Sequence, residues 1–105
     1  MHVQVVNFQL KNIDDQQFRA ACDELAPTFA SVSGLIAKIW LADPASGTYG
    51  GIYTWEDEAA FEAYTRSELF AAVAGNPNFA NVTSRDFAAI EGPTRVTRGL
   101  AAVAV

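Results

Sequence analysis

In the stretch GTYGGIYTW, Gly47 to Trp55, aromatic residues recur at every second position around a glycine. Side chains alternate across a strand. A strand here would carry Tyr49, Gly51, Tyr53 and Trp55 on one side and Gly50, Ile52 and Thr54 on the other. Three aromatics then surround a position without a side chain. A ligand, a partner chain or a neighbouring backbone could fill that position. The Gly50-Gly51 pair also fits a β-bulge, which would slip the alternation beyond it. The remaining reactive residues narrow the chemistry. One cysteine, Cys22, and one histidine, His2, exclude an internal disulfide and a multi-cysteine metal site. Cys22 falls in a helical apolar pattern and reads as a small buried hydrophobe. Glu56, Asp57 and Glu58 read as the acidic start of a helix rather than a ligand set, so no metal is expected. TYGGIY lies within a strand, not at a helix start where a glycine motif would cradle phosphate, and no bound cofactor is expected.

The chain of 105 residues fits one domain, residues 1–105, with a real core. Half of its residues are hydrophobic and 18% are charged, and the net charge is −5. A nucleic-acid binder would need a basic footprint, and adsorption to a membrane surface would need basic residues, so neither partner is expected. No apolar run reaches the roughly 20 residues that span a bilayer. The N-terminus does not read as a signal peptide, and a reducing cytoplasm is the expected compartment.

Positioning these residues requires a definite order of elements. Val3–Leu10 is β-rich and reads as the first strand. Asp14 or Asp15 caps a helix whose buried face is Phe18, Ala21, Cys22, Leu25 and Phe29, with Pro27 kinking it or ending its regular part. Leu35–Ala42 is the second strand. The turn residues of Asp43–Gly47 join it to the aromatic third strand as a hairpin. A second helix starts at the acidic run, with Ala60, Phe61 and Tyr64 as its apolar face, and a further short helix could follow Ser67. Asn76-Pro77-Asn78 ends that region and Ala80–Glu91 is the fourth strand. Gly92-Pro93 breaks it, leaving residues 93–105 as an extended, apolar tail. The order β-α-β-β-α-β predicts an α+β, ferredoxin-like protomer: an antiparallel sheet with its helices on one face.

Such a sheet should be polar on its uncovered face in a monomer. Strand two instead places Leu35, Ala37, Ile39 and Leu41 on one side and Ile36, Lys38 and Trp40 on the other. A sheet apolar on both sides needs a second cover, and a second copy of the chain supplies one as a sheet-on-sheet homodimer. The tail could add to the partner as a strand, or fray.

The block Gly34 to Tyr64 resembles the central part of the YdhR-type monooxygenases, small members of the dimeric α+β barrel superfamily related to antibiotic-biosynthesis monooxygenases. The likeness rests on the Gly34 turn, Lys38 and Trp40 two apart, GGIY at Gly50 to Tyr53, and the acidic start at Glu56-Asp57-Glu58. A weaker echo follows at Phe87 and Glu91-Gly92-Pro93. The resemblance implies a dimeric α+β barrel with an apolar pocket between sheet and helices in each protomer. It implies oxidation of a small electron-rich aromatic by O₂ without flavin, haem or metal.

That chemistry asks for an apolar pocket, a cation or donor for the substrate anion, and a proton path. Lys38 or Arg85 could stabilise the anion, with Asp86 orienting Arg85. Trp40, Tyr53 and Trp55 could wall a flat substrate, and Tyr49, Tyr53 or Tyr64 could donate a hydrogen bond. The catalytic candidates are therefore Lys38, Trp40, Tyr53 and Arg85, and Tyr49, Gly51, Trp55, Tyr64 and Phe87 are the pocket candidates. Each has a structural alternative. Lys38 could snorkel to the surface, Trp40 could be core or dimer contact, and Trp55 could staple onto Ala60. Two other functions remain open on this scaffold: a non-catalytic binder of a small apolar molecule, and an isomerase or lyase. Haem degradation is disfavoured, because the lone His2 is poorly placed as an axial ligand.

Overall fold

The computed structural model describes residues 1–99. Four strands form one antiparallel sheet: β1 (His2–Leu10), β2 (Leu35–Asp43), β3 (Thr48–Trp55) and β4 (Phe79–Ala88), in the order β2-β3-β1-β4. Helix α1 (Asp15–Ala30) joins β1 to β2, and α2 (Glu58–Thr65) with α3 (Glu68–Ala74) joins β3 to β4. This is the expected ferredoxin-like α+β fold.

Local chemistry sets the element ends. The Asp14 carboxylate accepts from the Gln17 amide at 2.8 Å, and the Gln17 side chain accepts from the Asp14 amide at 2.9 Å. This reciprocal pair satisfies two donors left over at the start of α1. Asp57 caps α2 and Ser67 caps α3 through Oγ, which is why the acidic helix restarts after Ser67. α1 continues through Pro27 to Ala30, rather than ending its regular part there. Pro27 sits in the last turn, where its missing N–H costs one bond near the helix end.

Two irregularities lie elsewhere than the sequence suggests. β1 pairs with β3 without interruption from His2–Trp55 through Asn7–Gly50 to Gln9–Thr48, so Gly50-Gly51 is not a bulge. The slip falls instead between Leu35 and Ala37 in β2. Leu35 therefore turns toward the core while Ala37, Ile39 and Leu41 face the other way, and the expected single row from Leu35 to Leu41 is broken. The second shift lies between Asn7 and Gln9 of β1 against β4, where Asn81 takes φ +55°.

The end of the chain is also corrected. Residues expected to be extended from Pro93 form a short helix α4 (Glu91–Val96). Proline is tolerated in a helix's first turn because its missing N–H would be unpaired there anyway. The expected partner contact by Leu100–Val105 lies outside the described residues.

The core sits between the sheet and α1–α3. β1 contributes Val6 and Phe8, β3 contributes Tyr49, Tyr53 and Trp55, and the helices contribute Phe18, Phe29 and Tyr64. Among the described residues the opposite sheet face has no helix over it. There Val5 pairs with Ile52 and Ile52 with Ile39, while Val3 pairs with Phe87. Ile39 is 58% exposed and Phe87 48%.

Candidate functional site

Antiparallel partners project to the same side of a sheet. Lys38 pairs with Tyr53 and Trp40 with Gly51, so all four lie on the helix-covered side. Trp40 meets Phe29 of α1 edge to face, with ring centres 5.4 Å apart. Between them lies the Lys38 ammonium. Its Nζ is 3.4 Å from the Trp40 ring centre, 3.5 Å from that of Phe29 and 4.6 Å from that of Tyr53. Lysine ammonium groups are attracted to such ring faces.

The glycine at position 51 makes room for this arrangement. A Cβ there would stand 3.1 Å from Lys38 Cε and 3.2 Å from the Ile39 carbonyl oxygen. The space between the aromatics of β3 is thus occupied by the lysine stem. Gly50 answers a different need. Its φ is +152°, and a Cβ would lie 1.8 Å from the Val6 carbonyl oxygen, so only glycine lets β3 approach β1 there.

Lys38, Trp40 and Tyr53 form part of the wall of a cavity of about 390 Å³ between the sheet and the helices. Helix α1 lines it with Phe18, Cys22, Leu25 and Phe29, and α3 with Leu69, Ala72 and Val73. Phe8 and Phe79, stacked with centres 4.0 Å apart, close another side. Gln17, Asn76 and Asn78 are its side-chain amides, and among the described residues no acidic residue lines it. The cavity is apolar, with one amine in its wall.

Burial pushes the Lys38 amine down to about 7, because an ammonium loses hydration there and meets no carboxylate. The ring faces act in the opposite sense by favouring the charged form. Lys38 is thus placed to change charge near neutrality. Burial pushes the Cys22 thiol up, more than the nearby Lys38 pulls it down, so Cys22 stands as a thiol rather than a thiolate. Burial also raises the Tyr53 and Tyr64 phenols. The Tyr64 hydroxyl donates to that of Tyr53 at 3.4 Å, from behind the cavity wall.

The other candidates lie outside the cavity. Trp55 is 0% exposed, and its indole N–H donates to Gln4 Oε1 at 3.1 Å. It stacks parallel to Tyr53 and meets Tyr64 at a tilt, the three rings forming one core cluster. Tyr49 donates to Asp15 Oδ1 at 2.7 Å, tying β3 to the start of α1. Arg85 and Phe87 face the open side of the sheet, where the guanidinium lies 5.4 Å from the Phe87 ring centre. Asp86 does not orient Arg85; it meets His2 Nε2 at 2.6 Å, and His2 packs against Phe61. Among the described residues no group of three or more His, Cys, Asp or Glu could hold a metal ion. The α1 and α3 lining was not singled out as a site by the sequence. Its signal, an apolar helical spacing, is the same for core and for pocket.

A family model described as "Putative mono-oxygenase ydhR" matches residues 3–100. No curated protein matches the chain. Several solved structures share its fold. A cofactor-independent oxygenase, SnoaB of Streptomyces nogalater, is similar with a TM-score of 0.66 and 20% identity over 86% of this chain and 94% of that one. The heme-degrader MhuD of Mycobacterium tuberculosis, with two hemes in its active site, gives 0.69 and 18% over 86% and 96%. The NE2512 protein of unknown function from Nitrosomonas europaea gives 0.70 and 16% over 87% and 90%.

Proposed function

The chain belongs to the ydhR mono-oxygenase family, and on that premise we propose that it oxidises a small electron-rich aromatic with O₂, with the substrate itself as the source of electrons. The observation that carries this reading is Lys38, the sole cationic side chain in the wall of an apolar, aromatic cavity free of carboxylates. A phenol or the enol of an anthrone gives its proton to the Lys38 amine. The resulting ammonium holds the anion, and the dry surroundings strengthen that pairing. The anion gives one electron to O₂, and the two radicals combine with a new C–O bond. The peroxide takes the proton back from the Lys38 ammonium and the hydroperoxide loses water, so that an anthrone CH₂, or the C–H and O–H of a phenol, react with O₂ to leave C=O and H₂O. Trp40 and Tyr53 orient the ring, and Tyr53, kept protonated by burial, is a hydrogen-bond donor.

A homodimer through the open sheet face is part of this proposal. It would cover Val5, Ile39 and Ile52 and complete a barrel. The single free thiol suits a reducing cytoplasm, the proposed compartment.

Oxygen uptake by chelator-treated protein over a panel of hydroquinones, naphthols and anthrones tests the activity. Uptake above the protein-free rate with a quinone product is expected. Thermal stabilisation by panel members without uptake would replace the enzyme by a binder. Product formed without O₂ would replace it by an isomerase or lyase.

A further inference from the structure

The cavity pairs an apolar interior with a primary amine that no acid engages. Lys38 makes no ion pair among the described residues, and the cavity's polar groups are neutral amides, a thiol and a phenol. Among the described residues no carboxylate fixes the proton on nitrogen; three ring faces surround the head group and favour its charged form, against the loss of hydration that favours the neutral one. We propose that Lys38 is also a carbonyl-capturing nucleophile, forming an imine with an aromatic aldehyde bound in this cavity.

The balance of the step is simple. The neutral Nζ lone pair attacks the carbonyl carbon, a C–N bond forms as the C=O π bond breaks, and one proton passes from nitrogen to that oxygen. The carbinolamine then loses its hydroxyl together with the second nitrogen proton as water while C=N forms, so one amine and one aldehyde give one imine and one water. Burial that brings the amine to about 7 leaves a large share of it neutral at that pH, whereas an ordinary exposed lysine is overwhelmingly ammonium. Tyr53 lies on the same cavity wall, and its phenol, kept protonated by burial, is a hydrogen-bond donor for the carbonyl oxygen rather than its proton source. Phe8, Phe29 and Trp40 suit a flat aryl group, and the 390 Å³ volume admits one or two fused rings. Water is the leaving group, and an apolar interior favours its loss.

The chain offers an internal comparison, because its amines are Lys38, Lys11 and the N-terminus. Lys11 is exposed. The folded protein is incubated at pH 7 with 2-naphthaldehyde and cyanoborohydride, whose hydride reduces the imine to a stable secondary amine. Peptides are then mapped by mass spectrometry. Lys38 is expected to gain one naphthylmethyl group at least about tenfold faster than Lys11. 2-Naphthol, which cannot form an imine, should slow that labelling by occupying the cavity. In Lys38→Arg, which keeps the cation but not the nucleophile, the Lys11 rate should be unchanged and the fast adduct absent. Labelling of Lys38 no faster than Lys11 in the wild-type protein overturns the proposal. Denaturant should bring the two rates together, and a preference for Lys38 that survives unfolding also overturns it. No O₂ is required, so the outcome is independent of the oxygenation reading.

Discussion

At the scale of the residue, Lys38 has the clearest consequences, and their sign can be worked out. Its folded-state pKa lies near 7, below that of an unfolded lysine. Between those values the unfolded chain binds more protons than the folded one, so stability rises as pH rises through that window. Below about 7 both forms are charged and the burial penalty is fully present. Thermal melts should therefore show Lys38→Met gaining on the wild type by about 15 °C more at pH 6 than at pH 10. A pH-independent difference would refute the buried amine. If Lys38 is the base, oxygen uptake should climb with an apparent pKa near 7, and Lys38→Met should lower kcat at least about tenfold. An unchanged profile in that variant would remove Lys38 from the reaction. How far these residues were legible follows from geometry. Lys38, Trp40, Gly51 and Tyr53 share a face by simple alternation and antiparallel pairing, which sequence can read. Tyr49, Trp55 and Tyr64 share that side too, but whether an aromatic lines a cavity or fills core depends on where helices leave space. Arg85 and Phe87 lie on β4, whose register shifts near Asn81, and sequence does not show that shift.

At the scale of the element, the two neighbouring glycines of β3 should respond differently to the same substitution. Gly50→Ala drives a methyl into the Val6 carbonyl, a backbone atom that cannot swing away, in a conformation L residues avoid. It should cost about 3 kcal/mol or more and lower the melting temperature by more than about 10 °C. Gly51→Ala meets the flexible Lys38 stem at 3.1 Å and the Ile39 carbonyl at 3.2 Å, contacts relieved by shifts of a few tenths of an ångström, so a smaller loss of about 1 kcal/mol is expected, with the ammonium displaced from its ring faces. Equal melting temperatures for the two variants would contradict this register. Asp14→Ala removes one side of the α1 capping box and should cost about 1 kcal/mol in denaturant melts. The same elements mark the limits of pattern reading. A Gly-Gly pair is ambiguous between a bulge and a close approach, and only the partner strand decides. Gly92-Pro93 broke β4 as read, yet proline in a first turn is equally a helix start, and α4 takes that option.

At the scale of the whole molecule, the sheet has more apolar surface than three helices can cover. They bury one face, while Val5, Ile52 and Ile39 run in register across the other, flanked by Val3 and Phe87. An apolar sheet face left to water is a docking surface, and two twisted sheets pack through such faces. Alternation alone makes this legible in β2 and β3, although the Leu35–Ala37 slip moves Leu35 itself into the core. The expected assembly is a two-fold pair of 11.3 kDa chains, read by light scattering at micromolar concentration as twice that mass. Ile39→Glu tests the face directly. Ile39 is 58% exposed in the protomer, so a glutamate there costs the isolated fold little. In a pair it would bury an unpaired carboxylate near the partner's sheet. The variant should run as a monomer with its protomer secondary structure intact by circular dichroism. A wild-type monomer would overturn the pair, and an Ile39→Glu variant that stays dimeric would place the contact elsewhere and leave this face for a different partner.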